Sequence, residues 1–183
     1  TTCVPNATFQ LEEWHFRVPY VILIGAQKGG STALAYYLYN HPSIQYLPTK
    51  ELHYFDEEMD QNRELQTIEG GIPAAKLLEH YQQKVLDERV PLEKFKFEPN
   101  RALDATPNYL FASNRVPNRI FCTAPWVKLL ALLRNPVERV FSHYHMQFNR
   151  DLAHPTTRRG YSTFEEYVEL DMQVLRETGV VQD

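Results

Sequence analysis

The sequence predicts an α/β fold, a P-loop-like parallel sheet flanked by helices. Three observations carry this expectation. The stretch "VILIGAQKGGSTALAYYLYNHPSI", Val21 to Ile44, passes from an apolar run through a glycine loop into helical spacing. A second apolar run, "WVKLLALL" from Trp126 to Leu133, ends at Arg134-Asn135-Pro136 and leads into another helical pattern. Strand-like and helix-like segments alternate along the chain, as a mainly parallel sheet requires.

Taken in order, residues 1–18 show no clear period and read as an N-terminal extension, with the domain over 19–183. Tyr20 to Ile24 is short, apolar and rich in β-branched residues, as expected of a strand buried on both faces. Gly25 ends it. From Ser31 the spacing is helical through Leu34, Tyr37 and Leu38, and His41-Pro42 stops it. Tyr36, Tyr37 and Tyr39 read as packing residues of that helix. "KELHYFD", Lys50 to Asp56, is a mixed polar and apolar segment, and 57–71 reads as a surface excursion.

Ala74 to Asp87 places Leu77, Leu78, Tyr81 and Val85 on one helical face, turned toward a core. "ALDATPNYLF" reads as a short strand running into a proline turn. Trp126 to Leu133 is a second buried-strand candidate. Asn135 caps the helix that follows, with Pro136 at its first position. His143 and His145 stand two apart on that helix and point to different sides, which excludes a metal pair. Residues 150–160 read as a polar loop in which Arg158 and Arg159 are solvated. The pattern over 163–178 predicts a last helix capped by Ser162 or Thr163.

Bulk numbers narrow the function classes. A chain of 183 residues suits one domain with a real core. A net charge of −4 argues against a nucleic-acid binder, because no basic excess exists to neutralise a phosphate backbone. Two cysteines, Cys3 and Cys122, make neither a disulfide framework nor a metal spacing, and a bridge and two free thiols both remain open. Asn6-Ala7-Thr8 fits the N-glycosylation acceptor pattern. No run approaches the roughly 18 apolar residues of a membrane span, so membrane contact is expected only through an anchor outside the chain.

The glycine loop departs from the nucleotide-triphosphatase pattern. In G-x-x-x-x-G-K-[ST] a lysine follows the last glycine and reaches the terminal phosphates. Here Gly25 and Gly30 keep the spacing, but the lysine is Lys28 and Ser31 stands in its place. The N–H groups of Gly29, Gly30, Ser31 and Thr32 would still cradle an anion at a helix N-terminus, with the two hydroxyls as further donors. The strand that would supply a magnesium-binding carboxylate ends in "LLRNP", with Arg134 instead. The expected site holds phosphate with cations and amides, and no metal.

"GAQKGGSTAL", "KELHYFD" and "LLRNPVERVFSHY", in that order over Val21 to Phe148, together resemble the sulfotransferases that use 3′-phosphoadenosine 5′-phosphosulfate (PAPS). The likeness is closest to the heparan sulfate and other carbohydrate sulfotransferases. The resemblance implies that Lys28, Gly29, Gly30, Ser31 and Thr32 bind the 5′-phosphosulfate, with Lys28 on the bridging oxygen. Arg134 and Ser142 would hold the 3′-phosphate. Glu51 would be the general base, with His53 beside it as the other group able to take the proton, and Asp56 would help to bind the acceptor. Ala105 stands where the heparan sulfate branch has a lysine. The resemblance also implies a C-terminal portion, supplying a loop over the adenine and 3′-phosphate, that is absent from the chain.

The expected reaction moves a sulfuryl group from PAPS to a hydroxyl or amine, leaving 3′,5′-adenosine bisphosphate. A glycan in the Golgi lumen or secretory pathway is the leading acceptor and setting. A small metabolite or lipid, and a cytoplasmic setting, are the alternatives. A P-loop kinase and a non-catalytic anion-binding domain are the rivals from other classes.

Overall fold

The computed structural model describes residues 19–45, 47, 49–62, 74–87, 101–153, 161 and 163–181. The proposed extension over 1–18, the sequon at Asn6, Cys3, Arg158 and Arg159, and Ser162 lie outside them. Contacts divide the chain into two compact units, one up to Leu133 and one from Arg134 onward.

The first unit is built on four parallel strands in the order β2-β3-β1-β4. These are β1 (Pro19–Gly25), β2 (Ile44–Gln45), β3 (Arg101–Asp104) and β4 (Lys128–Ala131). β1 lies between β3 and β4, pairing Ile22 with Asp104 on one side and with Leu129 on the other. The chain moves from β1 toward β2 and β3, but β4 is added on the opposite side. Such a reversal opens a crevice at the carboxyl ends of the strands, where α/β folds bind ligands.

β1 is buried on both faces, as its continuous apolar run predicts. Ile22 joins a cluster with Leu52, Tyr54, Phe55, Tyr81 and Tyr109, while Leu23 joins Ala35, Leu103 and Ala105. Helix α1 (Ser31–Tyr39) adds Ala35, with Leu34 and Leu38 packed beside it. Tyr36 and Tyr37 are 69% and 74% exposed, against their expected packing role. A nine-residue helix presents one narrow stripe to the sheet, and residues one and two positions past Ala35 rotate away from it.

The expected excursion at 57–71 starts with structure: a π-helical turn (Tyr54–Glu58) and a short α2 (Met59–Gln61), with Met59 fully buried. Residues 63–71 lie outside the described part. Helix α3 (Ala74–Asp87) buries Leu77, Leu78, Tyr81 and Val85 on the anticipated face. After β3, the proline turn forms a 3₁₀ helix (Pro107–Tyr109), followed by α4 (Val116–Thr123).

β4 corrects the expectation of a second buried strand, since all four of its residues are exposed. Its apolar run matches a central strand, yet among the described residues it pairs only with β1 and ends the sheet. Hydrophobicity alone does not distinguish an edge from a centre.

The second unit holds α5 (Pro136–Ala153) and α6 (Phe164–Glu177) around Tyr144, Tyr161 and Tyr167. Asn135 Oδ1 accepts from the N–H of Val137 and of Glu138 at 3.0 and 3.3 Å, the cap that the sequence predicts. Thr163 caps α6 through a reciprocal box with Glu166. α5 continues to Ala153, past the predicted start of a loop at residue 150. On it, His143 Nδ1 lies 2.7 Å from the Tyr167 hydroxyl, while the His145 ring stacks edge-on against Phe141.

Candidate active site

The glycine loop is stitched to β4 before it becomes α1. Leu132 N–H donates to Gly25 O at 2.6 Å, and Ala26 N–H donates back to Leu132 O at 2.9 Å. Gly29 N–H closes a turn on Ala26 O at 2.9 Å, so that amide is engaged inside the loop. A Cβ on Gly29 would stand 2.5 Å from Leu132 O, which only glycine avoids. Gly30 then enters the helix at φ 105, in the region that favours glycine.

α1 has no side-chain cap and no acidic residue in its first turn. Its leading N–H groups have no carbonyl one turn earlier to bond, and the helix dipole leaves partial positive charge there. Ser31 is buried at that end and Thr32 is exposed. Lys28 sits on the loop with φ 64. An uncapped helix N-terminus, preceded in the loop by Lys28, fits a phosphate-type anion.

"KELHYFD" supplies a second cluster. His53 Nδ1 lies 3.0 Å from Asp56 Oδ2 and 3.4 Å from Glu57 Oε1, while Nε2 faces Glu51 Oε2 at 3.4 Å. Lys50 Nζ donates to the other oxygen of Glu51. The bonds to Asp56 and then Glu51 outweigh burial and raise the His53 pKa to about 10. The hydrogen bond from His53, opposed by partial burial and assisted by Lys50, holds the Glu51 carboxyl below its usual value. The arrangement is a cationic imidazole beside an ionised carboxylate that keeps about a third of its side chain exposed.

Asp56 is 1% exposed. Burial pushes its pKa up, but hydrogen bonds from His53 and Asn108 overcome this and leave it lowered. Asn108 Nδ2 donates to Oδ2 at 2.6 Å and Glu57 N–H to Oδ1 at 3.0 Å. Asp56 is thus a buried carboxylate bonded to His53, Asn108 and the Glu57 N–H. Ligand atoms of His53, Asp56 and Glu57 lie within 4.8 Å of one another, but His53 Nδ1 is already occupied by the carboxylates.

The segment is anchored by residues that the sequence reading did not assign. Asp104, fully buried at the end of β3, accepts from Thr106 Oγ1 at 2.6 Å, Tyr109 OH at 3.0 Å and Tyr81 OH at 3.3 Å. Thr106 and Tyr109 in turn accept from the backbone of 53–55. Arg119 donates to Phe55 O at 2.7 Å and to Asp60 at 2.6 Å. Thr106 and Tyr109 were visible in "LDATPNY"; nothing local in the sequence connects them to His53.

The structure thus joins Glu51, His53 and Asp56 in one hydrogen-bonded set and forms the loop around Gly29, Gly30 and Ser31. Arg134 and Ser142 belong to the second unit. There Arg134 pairs with Glu138 through two contacts of 3.0 Å, and Ser142 is half-buried on α5.

Residues 19–179 match the sulfotransferase domain family. The chain is 34% identical over 141 residues to the membrane-associated sulfotransferase kil1 of Dictyostelium discoideum, covering 77% of this chain and 26% of that protein. It is 31% identical to the heparan sulfate glucosamine 3-O-sulfotransferase 6 of Mus musculus over 78% of this chain and 34% of that one. The crystal structure of a sulfotransferase from Alicyclobacillus acidocaldarius superposes with a TM-score of 0.56 at 26% identity, over 87% of this chain and 59% of the other. The chain therefore spans about a quarter to a third of these two curated relatives.

Proposed function

The chain belongs to the sulfotransferase family, and on that premise we propose that it takes part in metal-independent transfer of a sulfuryl group from PAPS to a glycan hydroxyl. One observation carries the reading: Glu51 is an ionised, partly exposed carboxylate whose neighbouring imidazole is held as a cation. A base must be deprotonated and reachable, and Glu51 meets both conditions. His53 does not, because its basic nitrogen is already protonated.

In the proposed step the acceptor oxygen attacks sulfur as its proton passes to Glu51. The bond from sulfur to the bridging oxygen breaks, and 3′,5′-adenosine bisphosphate leaves with the negative charge. Lys28 and the first-turn amides of α1 stabilise that charge where it develops. Arg134 and Ser142 hold the 3′-phosphate, and Asp56 fixes the orientation of the His53 imidazolium. A glycan acceptor is supported by the relatives named for heparan sulfate glucosamine. The Golgi lumen or secretory pathway is the proposed setting. Cys122 is disulfide-bonded, which favours an oxidising compartment. No helix among the described residues is long and apolar enough to cross a membrane.

Calorimetric titration with 3′,5′-adenosine bisphosphate, and separately with ATP, each with and without Mg²⁺, tests the donor half. Metal-independent binding of the bisphosphate that is lost in Arg134→Ala is the expected result. Mg²⁺-dependent ATP binding would replace the reading with a kinase.

A further inference from the structure

We propose that Asp104 is the positioning residue of this site: its carboxylate turns two hydroxyls so that they hold the backbone of His53, Tyr54 and Phe55. The inference rests on the reading above that the 51–56 segment does the chemistry. Asp104 itself touches none of the reacting groups assigned there.

A hydroxyl has one hydrogen and two lone pairs. Thr106 Oγ1 spends its hydrogen on Asp104 Oδ1 at 2.6 Å, so only a lone pair can face His53 N–H, which approaches at 3.4 Å. Tyr109 OH spends its hydrogen on Asp104 Oδ2 at 3.0 Å and accepts from Tyr54 N–H at 3.0 Å and Phe55 N–H at 3.4 Å. One carboxylate therefore sets the polarity of three consecutive backbone contacts. The segment needs such a hold, because His53 has φ 50, in the left-handed region that residues with a side chain rarely adopt. From the other side its carbonyl accepts the N–H of Glu57 and Glu58 at 3.0 and 2.9 Å. His53 is thereby clamped at both backbone groups, with its ring between Glu51 and Asp56.

Among the described residues the hydrogen-bond partners of Asp104 are three hydroxyls and no cation. No described residue neutralises the buried charge, and burial raises its pKa to about 6. A group that served stability alone would do better as a neutral side chain. An asparagine in its place presents an acceptor to one hydroxyl and a donor to the other. The second hydroxyl must then reverse and point its hydrogen at a backbone N–H.

The test is residue-resolved amide exchange on wild type, Asp104→Asn and Tyr109→Phe, together with transfer kinetics and bisphosphate binding. Both variants are expected to lose protection at Tyr54 and Phe55 by about 10-fold or more, while amides in β1 and α3 move little. The His53 imidazole should titrate well below its wild-type midpoint of about 10. Turnover should fall by about 10²-fold, as expected when a catalytic group is misplaced, with bisphosphate affinity unchanged. Tyr109→Phe removes one oxygen and preserves the ring, so it decides the matter if Asp104→Asn fails to fold. Unchanged exchange at 54 and 55, or an equal rise throughout the unit, overturns the proposal. Wild type without any transfer would count against the sulfotransferase reading, while the exchange pattern would still decide whether Asp104 holds the segment.

Discussion

The His53 imidazole lies between Asp56 Oδ2, 3.0 Å from Nδ1, and Glu51 Oε2, 3.4 Å from Nε2. A ring with a carboxylate at each nitrogen binds its second proton tightly. The two ends differ in exposure: Asp56 is buried, whereas Glu51 faces the solvent side of the segment. The cation therefore keeps Glu51 ionised, while about a third of its side chain stays exposed to a substrate.

The charge on His53 has a consequence for pH. Its folded pKa of about 10 lies above the ordinary 6.5, so the associated stabilisation is fully present below about pH 6.5 and is lost as pH rises through about 10. Turnover should show no limb near pH 6.5 and should decline only toward pH 10. NMR titration of the ring checks the assignment directly. A midpoint near 6.5 would remove the cation and restore His53 as a rival base.

Loss of the base and loss of the loop cation should look different. Glu51→Gln is expected to lower kcat by about 10²–10⁴-fold, the usual range for a general base, without weakening bisphosphate binding. Lys28→Ala should lower kcat by roughly 10²–10³-fold, as removal of one oxyanion donor does. Steady-state kinetics beside calorimetry separates them. Near-normal turnover in either variant removes that residue from its role.

Gly29→Ala should damage the loop mechanically. Its Cβ would meet Leu132 O at 2.5 Å and Ala26 O at 2.8 Å, both backbone atoms that cannot turn aside. A cost of about 1–3 kcal/mol is expected, with loss of bisphosphate binding. Gly179→Ala is the control, since its Cβ meets nothing within 4 Å and only its φ of 71 is strained. Thermal melts that fall equally for both would show that the contact with β4 contributes little.

Asp104 predicts the same direction as His53 in a lower window, opposite to an ordinary paired carboxylate. Burial raises its pKa to about 6 from 3.8, and the carboxylate of Asp56 adds to the rise, while hydroxyls of Thr106, Tyr109 and Tyr81 oppose it. Between those values the folded state binds a proton that the unfolded chain does not. Stability from this group therefore increases as pH falls through about 6 and levels off below about 3.8. The gap corresponds to roughly 3 kcal/mol relative to a variant that does not titrate. Urea denaturation of wild type and Asp104→Asn at pH 7.5 and 4.5 reads the difference. Parallel pH dependence in the two proteins would refute it.

Features written in local spacing were legible in the sequence. The loop from Gly25 to Ser31, the stripe of α3, the Asn135 cap and the Thr163 cap all depend on residues a few positions apart. The exposure of β4 was not legible, because neighbours across a sheet decide it and Leu129 and Leu130 look the same at an edge. Within the site, Glu51, His53 and Asp56 could be named from one short motif. Their support could not: Thr106 and Tyr109 reach the motif across more than 50 positions, and Asp104, which holds both hydroxyls, is a lone aspartate after Ala102 and Leu103 with no distinguishing pattern. The left-handed His53 is equally silent, since its conformation comes from those distant hydroxyls.

The paired bonds between Gly25, Ala26 and Leu132 continue the β1–β4 ladder past Ala131, so the loop proposed to hold the anion is an extension of the sheet. A loop of that kind is assembled before any ligand arrives. On the proposed reading, capture at this loop requires no ordering of Gly25, Ala26 or Leu132, and diffusion sets its pace. The association rate should follow solvent viscosity and fall with added salt, without the plateau at high ligand concentration that a closing loop imposes.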